Sequence, residues 1–377
     1  MDVTDVMDAQ TPIPQTDPKA GYLAHQSEID AAIARTLNSG WYILGREVAA
    51  FEEAFAAYVG VRYGVGVASG TDALEIALRA CEVKPGDAVF TVSHTAVATV
   101  AAVERSGATP VLVDIDPATY TMDPNCLEDA VKAAVRPKAV LPVHLYGHPA
   151  NLPAILDIAR RYDLLVVEDC AQAHGAALDG RRLGAWGHIA AFSFYPTKNL
   201  AAIGDGGMVL TDDAGLAERA RLLRQYGWRE RYVSALPGLN SRLDELQAAI
   251  LGARLPYLDA ENARRRALAS AYDRALASSG LGLPAVQPGA THVYHQYVVR
   301  TARRDALQAH LKARRIGTGV HYPVPVHLQP AYQSRLASRP LPHTEQAARE
   351  VLSLPMFPQL TDAQLEIVAG AIQDFAP

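Results

Sequence analysis

From Val61 to about residue 255, short β-branched runs alternate with longer amphipathic segments. Runs and segments of this kind are DAVFTV (87–92), TPVLVDI (109–115), LLVVED (164–169), GGMVLT (206–211), DALEIALRACEV (72–83) and AILDIARRYD (154–163). Continuous apolar strands that alternate with helices are typical of a mainly parallel sheet covered by helices on both faces. The alternation therefore predicts an α/β fold for this part of the chain.

The remaining sequence divides into further parts. Residues 1–18 are acidic and carry prolines, so we predict a flexible tail there. Residues 19–255 are predicted to hold two N-terminal helices, broken by GWYILG at 40–45, and then a large sheet domain. Residues 256–377 are predicted to form a smaller α/β C-terminal domain, with a strand at HQYVVR and a closing helix at DAQLEIVAGAIQDF. Pro256 is expected to kink or restart the long helix that leads into it.

Composition narrows the class of partner. The chain has 377 residues, of which 49% are hydrophobic, and a formal charge of −5. We therefore expect neither nucleic acid nor a membrane surface as partner, and a small molecule instead. Three cysteines without CxxC spacing favour neither a disulfide framework nor a metal site, and no segment is a signal peptide, so we expect a cytoplasmic protein.

Two predicted strand ends carry groups that could bind a ligand. The strand YDLLVVED ends in Glu168 and Asp169 and is predicted to lead into a helix. Ligands of open α/β sheets collect at the carboxyl ends of strands. The alternative is that Asp169 caps a following helix. After the strand ending at Val67, Ser69, Gly70 and Thr71 lead into a helix, and free amides with the helix dipole favour an anion such as phosphate there. A capped turn without any ligand is the alternative.

A third signal is Lys198 in FSFYPTKNLAAIGDGG, residues 192–207. A lysine beside Phe194, Tyr195 and Pro196 can lose hydration, which lowers the pKa of its amine and makes the neutral form available as a nucleophile or base. Lysine amines condense with carbonyls such as pyridoxal phosphate, a cofactor that also needs an acid at its ring nitrogen and a phosphate site. A surface lysine is the alternative, but the three signals together meet all three needs.

The sequence resembles the DegT/DnrJ/EryC1/StrS family of sugar aminotransferases from about residue 20 onward. The motifs that carry the resemblance are YILGREVAAFEEAFAAYVG, ASGTDAL, VHLYGHPA, VEDCAQAHGA, SFYPTKNLAAIGDGG, LNSRLDELQAAIL, HYPVPVHLQPAY and LSLPMFP. The resemblance implies an aspartate-aminotransferase-like fold, pyridoxal phosphate fold type I. It also implies pyridoxal 5′-phosphate as cofactor and a homodimer with shared active sites.

Residue roles follow from the same resemblance. Lys198 matches the lysine that holds the cofactor and later moves the proton, and Asp169 matches the carboxylate that keeps the pyridine nitrogen protonated. Gln172 matches the side chain near the ring hydroxyl. The residues that match phosphate contacts are Gly70, Thr71, Ser193 and, from the neighbouring subunit, Asn240.

Other positions are open at this level. The family places an aromatic residue on the cofactor ring where this chain has Ala96, so His94 either supplies the stacking or is a hydrogen-bonded structural histidine. Tyr42 resembles part of an active-site flap, and His321, Tyr322 and His327 resemble a substrate-proximal loop. The alternatives are packing in a proline loop for Tyr322 and surface exposure for His327.

Four further residues carry weaker predictions. His144 and Tyr146 end a strand and either touch sugar or pack. His174 is predicted at a helix end near Gln172. Arg229 is either a diphosphate contact or an exposed arginine.

The resemblance implies transfer of an amino group from L-glutamate to a 3-keto nucleotide (dTDP- or UDP-linked) deoxysugar. Lys198 favours transamination over the related dehydratases, which carry histidine at that position. The sequence GDGG around Asp205 favours the 3-keto members over the 4-keto members, which often have GEGG. The alternatives are a 4-keto nucleotide-sugar aminotransferase, another pyridoxal phosphate reaction, and a non-catalytic regulatory protein on this fold.

Overall fold

A computed structural model describes residues 12–336 and 339–375. Residues 1–11 of the predicted tail lie outside this range. For residues 12–18 the prediction of a flexible tail is wrong. The Ile13 side chain is buried in an apolar core, its N–H donates to the Arg315 carbonyl at 3.0 Å, and its carbonyl accepts from Gly317 N–H at 2.7 Å. A single apolar residue in a polar stretch gave no periodic signal for this contact.

The central sheet has seven strands in the order β1-β9-β8-β5-β4-β2-β3, and smaller two- and three-stranded sheets accompany it. The strands of the described residues are β1 Tyr63–Val67, β2 Ala88–Val92, β3 Thr109–Val113, β4 Pro137–Val140, β5 Leu165–Asp169, β6 Ala177–Leu178, β7 Arg181–Arg182, β8 Ile189–Ser193, β9 Gly207–Thr211, β10 Trp228–Glu230, β11 Val233–Ser234, β12 Ala290–Thr291, β13 Tyr297–Arg300 and β14 Val351–Leu354. In the central sheet β9 runs antiparallel to both neighbours, and the other adjacent pairs are parallel. The predicted mainly parallel sheet is confirmed.

Helices cover the sheet and build the second core. Those of the described residues are α1 Pro18–Leu23, α2 Gln26–Ser39, α3 Arg46–Val59, α4 Gly70–Ala80, α5 Val97–Arg105, α6 Pro124–Ala133, α7 Leu152–Arg161, α8 Ala214–Arg224, α9 Glu245–Arg254, α10 Leu258–Leu276, α11 Arg304–Ala313, α12 Gln333–Leu336, α13 Pro342–Glu350 and α14 Asp362–Gln373. A 3₁₀ turn at Leu255–Tyr257 separates α9 from α10, as expected for Pro256, which lacks the backbone donor that a continuous helix needs. None of these helices is both long and apolar enough to cross a membrane.

Buried apolar residues fall into separate clusters. Two clusters pack on the faces of the central sheet, and one of them joins Phe51, Phe55, Phe192 and Phe194 through edge-to-face and stacked ring contacts. A third cluster lies between α10, α11, α14 and the β13–β14 pair. The exact division at residues 255 and 256 stays a prediction.

Strand order decides which side chains meet. β5 pairs with β8 so that Asp169 lies opposite Ala191. The reversed strand β9 places Gly207 beside both Ser193, at the end of β8, and Val67, at the end of β1. The carboxyl ends of β1, β5 and β8 therefore share one edge of the sheet, which is where α/β folds bind ligands.

Candidate active site

Lys198 lies in the loop that follows β8, and its N–H donates to the Tyr195 carbonyl at 2.9 Å. The residue keeps part of its surface exposed, while burial of the amine lowers its pKa to about 8. The negative charge of Asp169 opposes this shift, which places the two groups within electrostatic range of each other. A larger fraction of the Lys198 amine is therefore neutral at neutral pH than in an ordinary lysine, and only the neutral form acts as a nucleophile or base.

Asp169 is buried, with 4% of its surface exposed. Burial raises the pKa of its carboxyl, against two hydrogen bonds that favour the ionised form. Oδ1 accepts from Ala171 N–H at 3.1 Å and Oδ2 accepts from the Thr99 hydroxyl at 2.9 Å. A turn follows β5, not a helix, so both the predicted helix start and the capping alternative for Asp169 are wrong. The carboxylate instead closes a local turn and remains available on the ligand edge.

Glu168, the neighbouring residue, has a structural role. Its carboxylate accepts four hydrogen bonds: from the N–H groups of Gly184, Trp186 and Gly187 at 3.0, 2.8 and 2.7 Å, and from His144 Nε2 at 3.1 Å. These bonds and His144 outweigh burial and lower the pKa of Glu168.

The same cluster resembles a metal site only in residue type. Potential ligand atoms of His144, Glu168 and Cys170 lie within 4.8 Å of one another. Because Ala150 N–H donates to His144 Nδ1 at 3.0 Å, Nε2 carries the proton and donates to Glu168. Burial also raises the pKa of the Cys170 thiol. Neither the imidazole nor the thiol is therefore in the form that binds a metal, and His144 packs rather than points to the ligand edge.

The phosphate cup predicted at 69–71 forms the start of α4. Ser69 Oγ accepts from Asp72 N–H at 3.1 Å and caps the helix. A Cβ added to Gly70 would lie 2.5 Å from Ser193 Cβ, so only glycine fits there. The structure thus brings Gly70 and Ser193 together, with Thr71 half-buried beside them.

Asn240 precedes a residue that contacts the start of α4, but Asn240 itself is exposed. Its backbone bridges to Gln225, and the next residue, Ser241, donates to Asp72 Oδ2 at 2.8 Å and accepts from Ala68 N–H at 3.0 Å. Ser241 was not predicted, although it follows Asn240 in the motif GLNSR.

Gln172 and the 321–322 loop form one hydrogen-bonded group. Gln172 Oε1 accepts from Tyr146 N–H at 2.7 Å, and Nε2 donates to Tyr322 Oη at 3.1 Å. Tyr146 donates its hydroxyl to the His321 carbonyl, and His321 Nδ1 is 2.8 Å from Ser353 Oγ. Burial and the charge of Asp169 raise the pKa of Tyr322 to about 12. Tyr322 therefore faces the site as a neutral phenol and is not simply packed in a proline loop.

His94 is fully buried, with Nε2 2.9 Å from Tyr146 Oη. Tyr146 already donates to a carbonyl, so His94 Nε2–H is the donor and Nδ1 has no partner among the described atoms. Burial lowers the pKa of His94 to about 4, with Asp114 opposing. This geometry supports the hydrogen-bonded alternative, and the stacking role stays a prediction.

His327 is 1% exposed, so the alternative of surface exposure is wrong. Its Nδ1 lies 2.7 Å from Ser93 Oγ and its Nε2 lies 3.5 Å from Glu345 Oε1. These contacts fix the loop against the end of β2. A direct substrate contact for His327 stays a prediction.

The remaining predicted residues lie elsewhere. Tyr42 is 53% exposed on the loop before α3, with its hydroxyl donating to the Leu37 carbonyl at 3.3 Å. Arg229 is exposed on β10. His174 follows a turn rather than a helix, so its predicted position is wrong. It is buried against the rings of Phe55, Phe192 and Phe194, and burial lowers its pKa to about 3.

These groups fit the cofactor that the resemblance implies. Pyridoxal phosphate needs an amine that is neutral near pH 7, an enclosed carboxylate and amides that face an anion. Lys198, Asp169 and the start of α4 supply them at one sheet edge, and Gly70 lets the start of α4 approach Ser193 closely.

Comparisons with known proteins identify the family. A dTDP-3-amino-3,4,6-trideoxy-alpha-D-glucose transaminase from Streptomyces venezuelae is 51% identical over 98% of this chain and 97% of its own. The erythromycin biosynthesis sensory transduction protein EryC1 of Saccharopolyspora erythraea is 50% identical over 96% and 99%. The crystal structure of S. venezuelae DesV in complex with a ketimine intermediate superposes with a TM-score of 0.95 and 50% identity, over 97% and 99% of the two chains. The model of the DegT/DnrJ/EryC1/StrS aminotransferase family matches residues 24–373, and the chain belongs to that family.

Proposed function

We propose that this protein transfers an amino group from L-glutamate to the 3-keto carbon of a dTDP- or UDP-linked deoxysugar. The observation that carries the proposal is the pairing of a desolvated Lys198 with a buried Asp169 beside an anion cup. Three relatives at 44–51% identity are named as transaminases or aminotransferases whose names place nitrogen or the dehydro position at C3. These names support C3 over the alternative, C4.

The aminotransferases of this family depend on pyridoxal phosphate. Bound in the cup, it supplies an aldehyde carbon and a ring that accepts the electrons released when a C–H bond breaks. Lys198 would bind that carbon through Nζ and, once released, carry a proton at the same atom, because its lowered pKa allows both protonation states near neutral pH. Asp169 would hold a proton on the ring nitrogen through its negative charge.

Other residues would orient the cofactor. The first amides of α4, with Thr71 and Ser193, would receive the phosphate. Gln172 Nε2 donates one hydrogen to Tyr322 and has a second hydrogen to donate. In our proposal this second N–H would donate to the ring hydroxyl of the cofactor. Tyr322 and His321 would contact the sugar, since Tyr322 keeps its own hydroxyl proton to donate.

We further propose a cytoplasmic homodimer in which Asn240 of one subunit completes the phosphate site of the other. The exposure of Asn240 in the single chain supports this, because it leaves the residue available to a second subunit. Exposed aromatic residues at Trp41, Tyr42 and Tyr232 offer apolar surface for the partner.

The decisive experiment offers the purified protein a panel of 3-keto and 4-keto nucleotide sugars with L-glutamate, and product mass identifies the aminated sugar. Loss of amination in Lys198→Ala is expected. Turnover of only 4-keto sugars would replace C3 by C4 in the proposal.

Two other classes are separated by simpler measurements. An aldolase or decarboxylase of this fold would not convert its bound cofactor to the pyridoxamine form when glutamate is added. The second class is a regulatory protein, a role that the name of the EryC1 relative contains. Such a protein would keep its binding role after Lys198→Ala. Failure of glutamate to bleach the visible absorbance of the cofactor would contradict transamination.

A further inference from the structure

Two buried threonines lead to the Asp169 carboxylate. Thr95 follows β2 and Thr99 lies in the first turn of α5, with 3% and 1% of their surfaces exposed. Their hydroxyl oxygens are 2.9 Å apart, and Thr99 Oγ1 is 2.9 Å from Asp169 Oδ2. The spacing i, i+4 alone did not indicate this contact, because the carboxylate lies 70 residues further along the chain.

The proton directions in this chain of hydroxyls are determined by the acceptor at its end. An ionised carboxylate only accepts, so Thr99 must use its single hydroxyl proton on Asp169. Thr99 Oγ1 is then free to accept, and Thr95 donates to it. The hydrogen bond from Thr95 polarises the Thr99 hydroxyl. The hydrogen bond from Thr99 to Asp169 is therefore stronger than one from an isolated threonine hydroxyl.

We propose that Thr95 and Thr99 form a hydroxyl relay that orients the Asp169 carboxylate and keeps it ionised; both are positioning residues for the transamination proposed above, on which this inference rests. Oδ1 is held by the Ala171 amide, so the relay supplies the only side-chain hydrogen bond that the described residues make to Asp169. A rotation of the carboxylate would break both bonds. The relay therefore fixes the plane in which the carboxylate meets a ring nitrogen.

The ionisation of Asp169 depends on every charged or titratable group that faces it. Burial disfavours the carboxylate, whereas the charge of Lys198, and that of His144 in its protonated form, favour it. Cys170 and Tyr322 face it as neutral groups whose own pKa values Asp169 raises. None of these groups changes when the relay is altered, so a relay variant isolates the hydroxyl contribution.

The test uses the cofactor-free protein, in which Asp169 can be titrated without any turnover. Aspartate labelled with ¹³C at Cγ gives a carboxyl resonance for Asp169, assigned by its loss in Asp169→Asn. Thr99→Val is nearly isosteric and removes the hydroxyl, so we expect the pKa of Asp169 to rise by about one to two pH units, as for a lost hydrogen bond to a charged group. Thr95→Val should raise it by a smaller amount because only the polarisation of Thr99 is lost.

Two variants serve as controls. Thr99→Ser keeps the hydroxyl and should restore the wild-type titration. Thr91→Val removes an equally buried hydroxyl from β2 that donates to the Leu141 carbonyl at 2.9 Å, so it should lower stability without moving the Asp169 resonance. A Thr99→Val titration equal to wild type, or an equal movement in Thr91→Val, would overturn the relay.

In the loaded enzyme, Thr99→Val should lower kcat at least tenfold with little change in KM for the sugar, and should move the acidic limb of the pH profile upward. A carboxyl resonance that moves as expected in a protein that aminates no sugar would sustain the relay and refute the proposed function. A protein that aminates sugars but whose resonance does not move would do the reverse.

Discussion

Burial acts on Lys198 and Asp169 in the same sense, since it disfavours charge on both. It lowers the pKa of the amine to about 8 and raises the pKa of the carboxyl. Each charge partly offsets the desolvation of the other, so the ammonium and the carboxylate favour one another's charged form. At pH 7 the neutral fraction of such a lysine is therefore much larger than that of an ordinary lysine.

This balance predicts how the cofactor-free protein reacts with an amine-selective reagent. The rate of Lys198 modification, followed by peptide mass spectrometry, should rise with pH to a midpoint near 8. Asp169→Asn removes the charge that favours the ammonium, so the midpoint should move to lower pH. An unchanged or higher midpoint in that variant would contradict the electrostatic coupling, and Glu82→Gln, on the surface, should leave it where it was.

Motif residues at this scale were predictable because they follow strand ends in sequence. Lys198, Asp169, Gln172 and Gly70 all lie at the predicted sheet edge. Thr99 and Ser241 were missed, since their partners are 70 and 169 positions away and no local spacing encodes such contacts. Asp169 was wrongly given a possible capping role because turns and helix starts share the same residue types.

At the scale of elements, hydrophobic patterns predicted strands and helices but not their order. The sequence of β8, IAAFS, has two alanines and little β-branching, so it gives only a weak strand signal. The reversal of β9 was not predicted either, yet it brings Gly207 beside Ser193 and so completes the cup. Pairing depends on contacts between distant segments, which periodicity does not contain.

The close approach of α4 to β8 predicts a strong effect of Gly70→Ala. The added methyl would lie 2.5 Å from Ser193 Cβ and 3.1 Å from its Cα, so the helix start must move. We expect a loss of about 1–3 kcal/mol in unfolding free energy and weaker cofactor retention.

Gly252→Ala in α9 is the matched control for this change. Nothing lies within 4 Å of the added methyl, so a gain of roughly 0.5–1 kcal/mol is expected from helix propensity. Urea unfolding and cofactor dissociation measure both variants. Equal behaviour of the two would mean that the approach of α4 to β8 is not required.

A substitution at Glu168, the neighbour of Asp169, is expected to lower the stability of the fold. Glu168→Gln turns an acceptor of four hydrogen bonds into a group whose amide nitrogen faces other donors. We expect a loss of about 2–4 kcal/mol in unfolding free energy, whereas the exposed Glu82→Gln should change little. Chelators should change the stability of neither the variant nor the wild type, because the imidazole of His144 and the thiol of Cys170 are not in metal-binding forms. Stabilisation of the wild type by added zinc would contradict that interpretation.

At the scale of the whole molecule, exposed aromatic residues mark the surface that a partner would cover. Trp41 and Tyr232 are 63% and 73% exposed. Exposed aromatic surface favours association, and a net charge of −5 gives only modest repulsion between copies of the chain. Tyr232 lies on the β10–β11 hairpin, which joins the segment that carries Asn240. The same surface thus holds apolar area and the residue proposed to serve a second site.

Mixed dimers test whether active sites are shared. Lys198→Ala and Asn240→Ala homodimers should each lose amination, the second mainly through weaker cofactor retention. If Asn240 acts on the neighbouring subunit, a mixed dimer contains one site with both lesions and one intact site. Refolding the two variants together in equal amounts should then restore about a quarter of wild-type activity, since half of the dimers are mixed. Lys198→Ala mixed with Asp169→Asn is the control, because both residues serve their own chain's site and no intact site can form. The absence of restoration in the first mixture would place Asn240 in the site of its own subunit. Restoration in the control would contradict the assignment of Lys198 and Asp169 to one chain's site.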